Sequence, residues 1–433
     1  MSIRHNAERA GPPVSRLACG LDFGTSNSTL GVHGPAGPRL IALEAGHATV
    51  PSAVFFGAEA QSALLIGRAA VTAYTEGVTG RLMRSLKSIL GSSLIEERTA
   101  VYRRRIRFSE VIGLFLTELK RRAEETEAAP LEAVVLGRPV HFVDDDAQAD
   151  DHAEETLRGV ARAIGFRDVS FQYEPVAAAL DFERRHVSGE KIAIIADIGG
   201  GTSDFTVVRL GRGAQSSAER EGDILANDGV RLGGTDFDRQ LSMNAFMPGF
   251  GYRTLMKRGD IEVPSAPYWD LSTWSSVHQL YDPRRMDELR EVRFDAREPA
   301  LIERLMQVVD TRRGHSVLIA VEEAKIALSD REDVRTPMAW VEPDLAIGAT
   351  RAAFDAFTGP LCARLAATAR ACVANAGLTP ADIDFVFFTG GTSLIPGVRG
   401  AILSPFDNAS AIDGDRFGAV GLGLAIEAQR RYG

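Results

Sequence analysis

Read as apolar and polar positions, the chain runs twice through one succession of elements. "LACGLDF" (17–23) is a short apolar run, and "STLGVHG" beyond a glycine loop reads as its hairpin partner. "PSAVFF" (51–56) is a further short strand. From about Ala63 to Arg105 the pattern predicts helix with a basic face. In "SEVIGLFLTELKRRAEETE" (109–127) apolar residues recur at helical spacing against a charged face, and Pro130 ends the run. "LEAVVLGRPV" (131–140) is a buried strand. "DDDAQADDHAEETLRGVARAIGF" follows as a helix with acids at its N-terminal end, where the helix dipole favours them. "VSFQYEP" is extended, and Pro175 suits the first turn of the helix "VAAALDFERR".

"KIAIIADIGGGTSDFTVVRLG" (191–211) restarts the succession as strand, glycine loop, strand. "GAQSSAEREGD" is a polar connection, and "GGTDFDRQLSMNAF" (233–246) predicts a helix opening after two glycines. Residues 248–300 read as irregular, with Pro264, Pro267, Pro283, Trp269 and Trp274 among them. "HSVLIAVEEAKIALSD" (315–330) and "GPLCARLAATARACVANAGL" (359–378) are amphipathic helices, the second ended by Gly377 as a left-handed cap. "IDFVFFTGGTSLIPGVRGAI" (383–402) is a buried strand, a Gly-Gly turn, then a helix with Pro396 near its start. The repetition predicts two similar α/β lobes with a cleft between them, the place where ligands favour such folds.

Composition narrows the class. At 433 residues the chain exceeds one ordinary core, and 45% hydrophobic with 25% charged residues is globular. A net charge of −9 argues against a nucleic-acid or acidic-membrane binder. The basic runs "YRRRIR" and "KRR" read as solvated faces. Cys19, Cys362 and Cys372 form no C-x-x-C, so neither a disulfide framework nor a zinc site is expected, which suits a reducing cytoplasm. No apolar run reaches the ~18 residues of a membrane span. Residues 1–16 lack the apolar centre of a secretory signal and read as a flexible tail.

The glycine loops carry the candidate chemistry. In Asp22-Phe-Gly-Thr-Ser, Gly24 lets successive N–H groups converge into an anion nest, and Thr25 and Ser26 add hydroxyl donors. Asp22 would repel a bare phosphate. It makes sense with a cation between them, and Mg2+ is typically shared, with its waters, between a carboxylate and phosphates. One such loop alone is more often an ordinary turn. The second, Asp197-Ile-Gly-Gly-Gly-Thr-Ser-Asp, places Gly199, Gly200 and Gly201 where they weaken a hairpin unless backbone must approach something closely. Gly233-Gly234 and Gly390-Gly391 are two further kinks. Four kinks fit one nucleotide held from several sides, although neither a Walker loop nor a Rossmann fingerprint occurs.

Motifs in order from residue 17 to the C-terminus resemble the ATPase domain of the DnaK-type heat-shock chaperones, within the actin and sugar-kinase superfamily. "GLDFGTSNS" resembles the first phosphate loop, and "GRPVHF", "ARAIGF" and "QYEPVAAAL" resemble the connecting segment. "DIGGGTSDF" resembles the second phosphate loop, "RLGGTDFD" the next Gly-Gly motif, "EEAKIALS" the adenosine helix and "FTGGTSLIPGV" the adenosine loop. "FRDVSFQYEPVAAALDFE", "RFDAREP" and "EEAKIALS" look closest to the YegD-like branch of putative chaperones.

The resemblance implies an α/β, actin-like ATPase fold with a duplicated ribonuclease H-like motif and two lobes around a central nucleotide cleft. Lobe I would span 17–190, its outer part about 45–105. Lobe II would span 191–411, its outer part about 233–357, and 412–433 would return to lobe I as a helix. It further implies ATP or ADP with Mg2+ as ligands. Asp22, Glu174 and Asp197 would hold Mg2+ through water, and Asp197 or a neighbour would orient the attacking water. Thr25, Ser26, Gly200, Gly201 and Thr202 would grip the phosphates, with Gly24, Asn27 and Gly199 in the same loops and Gly233 and Gly234 beside them. Lys87 takes the place of the catalytic lysine. Glu322, Lys325 and Ser329 would meet ribose and adenine, and Gly390, Gly391 and Thr392 would lie under the nucleoside. Ile326 and Leu394 stand where chaperones of this kind often carry arginines that sandwich adenine, which implies weaker ATP affinity or altered base preference.

No linker, peptide-binding β-sandwich or lid follows the last motif, so the expectation is a nucleotide switch with a protein partner or client in trans. A small-molecule kinase, an actin-like filament protein and a non-hydrolysing pseudo-ATPase are the alternatives.

Overall fold

The computed structural model describes residues 17–58, 64–101, 104–143, 146–211, 221–274, 276–413 and 418–433. The expected tail at 1–16 and most of the polar connection after Gly211 lie outside the described residues.

Two sheets repeat one plan. In the first, Asp168–Tyr173 and Leu131–Arg138 run parallel beside Leu17–Phe23, which pairs antiparallel with Asn27–Gly34, and that strand with Gly37–Leu40. In the second, Ser410–Asp413 and Phe385–Thr389 run parallel beside Lys191–Ile198, which pairs antiparallel with Ser203–Leu210, and that strand with Ile224–Val230. Each lobe therefore starts with a hairpin whose first strand becomes the sheet's centre. Parallel neighbours need both faces covered, and the central strands are accordingly apolar. Leu21, Phe23, Val134 and Leu136 lie in one core, Ile194, Ala196 and Val386 in another.

Helices cover the sheets. Phe108–Glu127 turns Val111, Ile112, Phe115, Leu116 and Leu119 inward. The helix Ala419–Tyr432 returns from lobe II to lie on the first strand of lobe I, with Leu424, Ala425 and Ala428 buried. The helix Glu174–His186, with proline in its first turn, leads from lobe I to lobe II, where Phe182 packs against Phe385 and Phe387 at 5.2 and 4.9 Å. No described helix is long and apolar enough to cross a membrane.

Two predicted stretches come out differently. The expected basic helix over 63–105 is one helix, Gly67–Thr75, followed by short strands Gly80–Arg84, Arg98–Val101 and Arg104–Arg107. The supposedly irregular stretch 248–300 is largely helical, with Ala266–Leu271, Pro283–Asp295 and the start of Pro299–Asp310. The helix opening at Gly234 ends at Leu241 and continues as a π-helical turn, Ser242–Phe246.

Candidate functional site

The two hairpin loops face one another across the cleft. A Cβ placed on Gly200 would lie 2.6 Å from the Ser26 hydroxyl, so the two tips are in contact distance. The first loop is anchored from below: the Ser52 hydroxyl donates to the Gly24 carbonyl at 2.6 Å, and the Ser52 amide donates to the Ser26 carbonyl at 2.9 Å. Thr25 sits half-buried at the turn, Ser26 is exposed, and Asn27 opens the return strand opposite Pro51. In the second loop Gly201 and Thr202 are exposed.

The remaining glycine kinks pack behind that second loop. The Gly234 amide donates to the Gly199 carbonyl at 2.9 Å, and the Thr235 amide to the Gly200 carbonyl at 2.8 Å. The Thr392 hydroxyl, in the Gly390-Gly391-Thr392 turn, donates to the same Gly199 carbonyl at 2.9 Å. Gly233 is needed for this approach, since a Cβ there would stand 2.6 Å from both the Gly200 carbonyl carbon and the Gly201 nitrogen. Carbonyls thereby point backward into the lobe, and the loop's outer side is left for a ligand.

Beneath the loops lies a charge cluster. Lys87 rides on the short turn Leu86–Ile89 and donates to Glu174, which is 9% exposed and starts the inter-lobe helix. Asp22 and Asp197 end the central strands of their sheets. Burial, then Glu174 and Asp197, push the Asp22 carboxyl up to about 8 against the pull of Lys87. Burial, then Glu174 and Asp204, push Asp197 up to about 7, again with Lys87 opposing. Burial works against the charge on Lys87, but Glu174 and Asp22 overcome it and raise its pKa.

One lysine among three carboxylates leaves an excess of negative charge, which adds to burial in raising the two carboxyls. The donor set fits a hydrated divalent cation, with oxygen ligands on hard carboxylates. Among the described residues no three His, Cys, Asp or Glu side chains are disposed to grip a metal directly. A cavity of about 20 Å³ lies alongside, lined by Glu174, Pro175, Asp197, Asp204 and Asn227. It is of the size that holds about one water.

The residues expected to meet ribose and adenine lie on the helix Gly314–Asp330. Its buried stripe is Val317, Leu318, Val321, Ala324 and Leu328, and Lys325 falls on the same face. That lysine donates to the Gly234 carbonyl at 3.3 Å and lies 2.8 Å from Asp238. Burial raises the Asp238 carboxyl to about 6 although Lys325 beside it pulls the other way. Glu322 lies one turn earlier, 3.9 Å from Arg84 of lobe I. The Ser329 hydroxyl bonds back to the Lys325 carbonyl at 3.5 Å, and Ile326 is 57% exposed. Leu394 is half-buried at the end of the short turn Gly391–Leu394. A larger cavity of about 520 Å³, lined by Leu241, Ala245, Thr350 and Phe357, lies elsewhere in lobe II and holds none of these residues.

Three residues of the site escaped the sequence reading. Asp204 stands directly opposite Asp197 in the hairpin register, and its hydroxyl neighbour Thr202 donates to it at 3.4 Å. Counting outward from the glycines would have found it. Ser52 and Asp238 carry no such local signal, because each acts across 24 or more residues of chain, Ser52 on the first loop and Asp238 on Lys325.

Two sheets of one plan, closed on a polar cleft by paired glycine hairpins, define an actin-like ATPase fold. The family description "Hsp70 protein" matches residues 18–255 and 306–433. The chain belongs to the Hsp70 family and carries its nucleotide-binding domain. It is 27% identical over 448 residues to a "Chaperone protein HscA homolog" of Aromatoleum aromaticum, covering 99% of this chain and 60% of that one. It is 28% identical to the Bordetella petrii homolog, with the same coverages. It is 27% identical to "Chaperone protein HscA" of Salmonella typhimurium, covering 97% of this chain and 59% of that one. The chain thus spans about 60% of the length of the curated relatives it matches.

Proposed function

We propose that this protein binds ATP with Mg2+ in the cleft, hydrolyses it slowly, and uses the change as a switch acting on a protein partner. The observation that carries the reading is the meeting of Ser26 and Gly200 directly over Lys87, Glu174, Asp22 and Asp197. Phosphoryl transfer asks a protein chiefly for positioning and charge neutralisation. Backbone N–H groups of the two loops, with the hydroxyls of Thr25, Ser26 and Thr202, hold the phosphate tail. Lys87 exchanges its Glu174 partner for the γ-phosphate. Asp197, at the end of the central strand of lobe II, or a neighbour orients the attacking water and accepts its proton. Mg2+, held through water by Asp22, Glu174 and Asp197, supplies further neutralisation of the phosphates. Lys325 and Glu322 take the ribose, and Gly390 and Gly391 lie under the nucleoside.

A protein partner is supported by the relatives' names, which are those of chaperones. Placement beside the YegD-like proteins rests on "FRDVSFQYEPVAAALDFE", "RFDAREP" and "EEAKIALS" alone. Calorimetric titration with Mg-ATP, followed by turnover in wild type, Asp197→Asn and Lys87→Ala, tests the reading. Saturable binding with turnover lost in both variants is expected. Equal turnover in all three would sink the catalytic assignment.

A further inference from the structure

The larger cavity of lobe II has no part in the nucleotide reading. At about 520 Å³ it falls within the ~300–1,000 Å³ of small-molecule sites. Three elements wall it. The first is the end of the helix Gly234–Leu241 and the π-helical turn that follows, with Leu241, Asn244 and Ala245 facing the space. A π-helical turn within a helix is a frequent mark of a functional site. The second is a two-stranded hairpin, Asp333–Pro337 against Ala346–Thr350. The third is the helix Arg351–Asn375, which contributes Phe357. The helices thus supply an apolar wall, and the hairpin supplies charge. Asp333 and Arg335 both line the cavity and both are exposed. Residues two apart on a strand share a face, about 6.6 Å from one another. Among the described residues neither side chain has an ion-pair partner, and the two do not close on each other. Gly348 stands opposite Arg335 in the hairpin register, and a Cβ there would meet nothing within 4 Å. The floor beside the guanidinium is therefore open.

We propose that this cavity binds a small apolar zwitterion, an α-amino acid with an aliphatic or aromatic side chain. Such a ligand carries a carboxylate and an ammonium on one carbon. The hairpin offers an unpaired guanidinium and an unpaired carboxylate on one face. The ligand carboxylate takes the planar fork of Arg335, whose paired N–H groups match it. The ligand ammonium takes Asp333. Asn244 donates its amide nitrogen to the Gln240 carbonyl at 2.9 Å, which leaves its oxygen as a second acceptor for the ammonium. The apolar side chain lies against Leu241, Ala245 and Phe357, above the open floor at Gly348. A fatty acid or an amine would answer only one of the two charges, and a phosphate would meet a carboxylate and an apolar wall. A short peptide with free ends has the same chemistry, since two extended residues span about 7 Å. The site is separate from the nucleotide cleft. Leu241 ends the helix whose other end, at Gly234, bonds to the second glycine loop, and eight residues of helix span about 12 Å.

Equilibrium dialysis of the full chain against radiolabelled L-leucine and L-phenylalanine tests the proposal. Saturable binding of at least one of them, with a Kd below about 1 mM, is expected. Leucinamide lacks the carboxylate and 4-methylpentanoate lacks the ammonium. Each should compete about tenfold or more weakly than L-leucine. Arg335→Ala and Asp333→Ala remove exposed side chains, so both variants should melt as wild type does and bind about tenfold or more weakly. Gly348→Leu fills the open floor and should abolish binding. No saturable binding of either amino acid, or equal binding in wild type, Arg335→Ala and Gly348→Leu, overturns the proposal. Displacement of the amino acid by Mg-ATP overturns it as well, because it would place the ligand in the cleft. A leucyl-leucine dipeptide that binds about tenfold more tightly than either amino acid would overturn the amino-acid assignment in favour of peptide ends.

Discussion

Asp197→Asn is expected to make the nucleotide-free protein more stable while removing its turnover. Burial, Glu174 and Asp204 lift the Asp197 carboxyl from its ordinary 3.8 to about 7 in the folded protein. Between those two values the folded state binds the proton and the unfolded state does not. The stability this brings is complete below about pH 4 and is lost as the pH rises through 7. Above 7 the folded protein carries an ionised Asp197 that it disfavours. The gap of about 3 pH units, at about 1.4 kcal/mol each, is about 4 kcal/mol. Asp22 belongs to the same cluster and is itself pushed up to about 8, so the two carboxyls share that penalty. About 2 kcal/mol is the share assigned to position 197 alone.

Asn keeps the shape and has no charge to disfavour. For a lobe of roughly 200 residues that is a rise in melting temperature of about 5 °C. The assay is thermal melting of both proteins at pH 8 and pH 5, without nucleotide and with chelator present. The Asn variant should melt about 5 °C higher at pH 8 and about 2 °C higher at pH 5, where the folded Asp197 is neutral but the unfolded chain still gains by ionising it. A variant that melts lower at pH 8, or a gap of equal size at both pH values, would refute the reasoning. The rise would also show that lost turnover does not come from misfolding.

Lys87→Met leaves Glu174, 9% exposed, without its cation. Breaking a buried pair from one side costs about 3 kcal/mol, so melting temperature should fall along with ATP turnover. Gly233→Ala drives a methyl against backbone atoms of the second loop at 2.6 Å, where no side chain can yield. A loss of about 1–3 kcal/mol in stability and a tenfold or greater loss of ATP affinity by calorimetry are expected. Ile326→Arg places a guanidinium at an exposed position that the proposed nucleotide pose sets beside the base, and should tighten ATP binding roughly 2- to 30-fold in the same titration.

The sheets were legible because their central strands are apolar runs that end on glycine, as at "LACGLDF" and "KIAIIADI". The outer part of lobe I was not. Its strands Gly80–Arg84, Arg98–Val101 and Arg104–Arg107 are only four or five residues long and set arginines among apolar residues, as in Gly80–Arg84, which imitates the basic face of a helix. In lobe II the prolines misled in the opposite direction. Pro267 and Pro283, read as marks of irregular structure, sit in the first turns of helices, where a missing N–H costs nothing. Within the cleft, residues inside the motifs were found and their supports were not. Asp197 announces itself beside three glycines, whereas Ser52 and Asp238 act only through partners remote in the chain.

One stretch of four residues joins the two ends of the cleft. Arg84 ends a strand of lobe I and reaches Trp274 and Glu322, while Lys87, three residues on, turns inward to Glu174. Between them Ser85 adopts left-handed backbone, φ 58°, which a serine holds only when its surroundings impose it. That turn sends the two cations to different parts of the cleft from one short segment. Withdrawal of the outer part of lobe I would therefore pull Arg84 from the mouth and Lys87 from the phosphates together. The contacts of Arg84 with Trp274 and Glu322 and that of Lys87 with Glu174 are then made and broken by one movement of the same four residues.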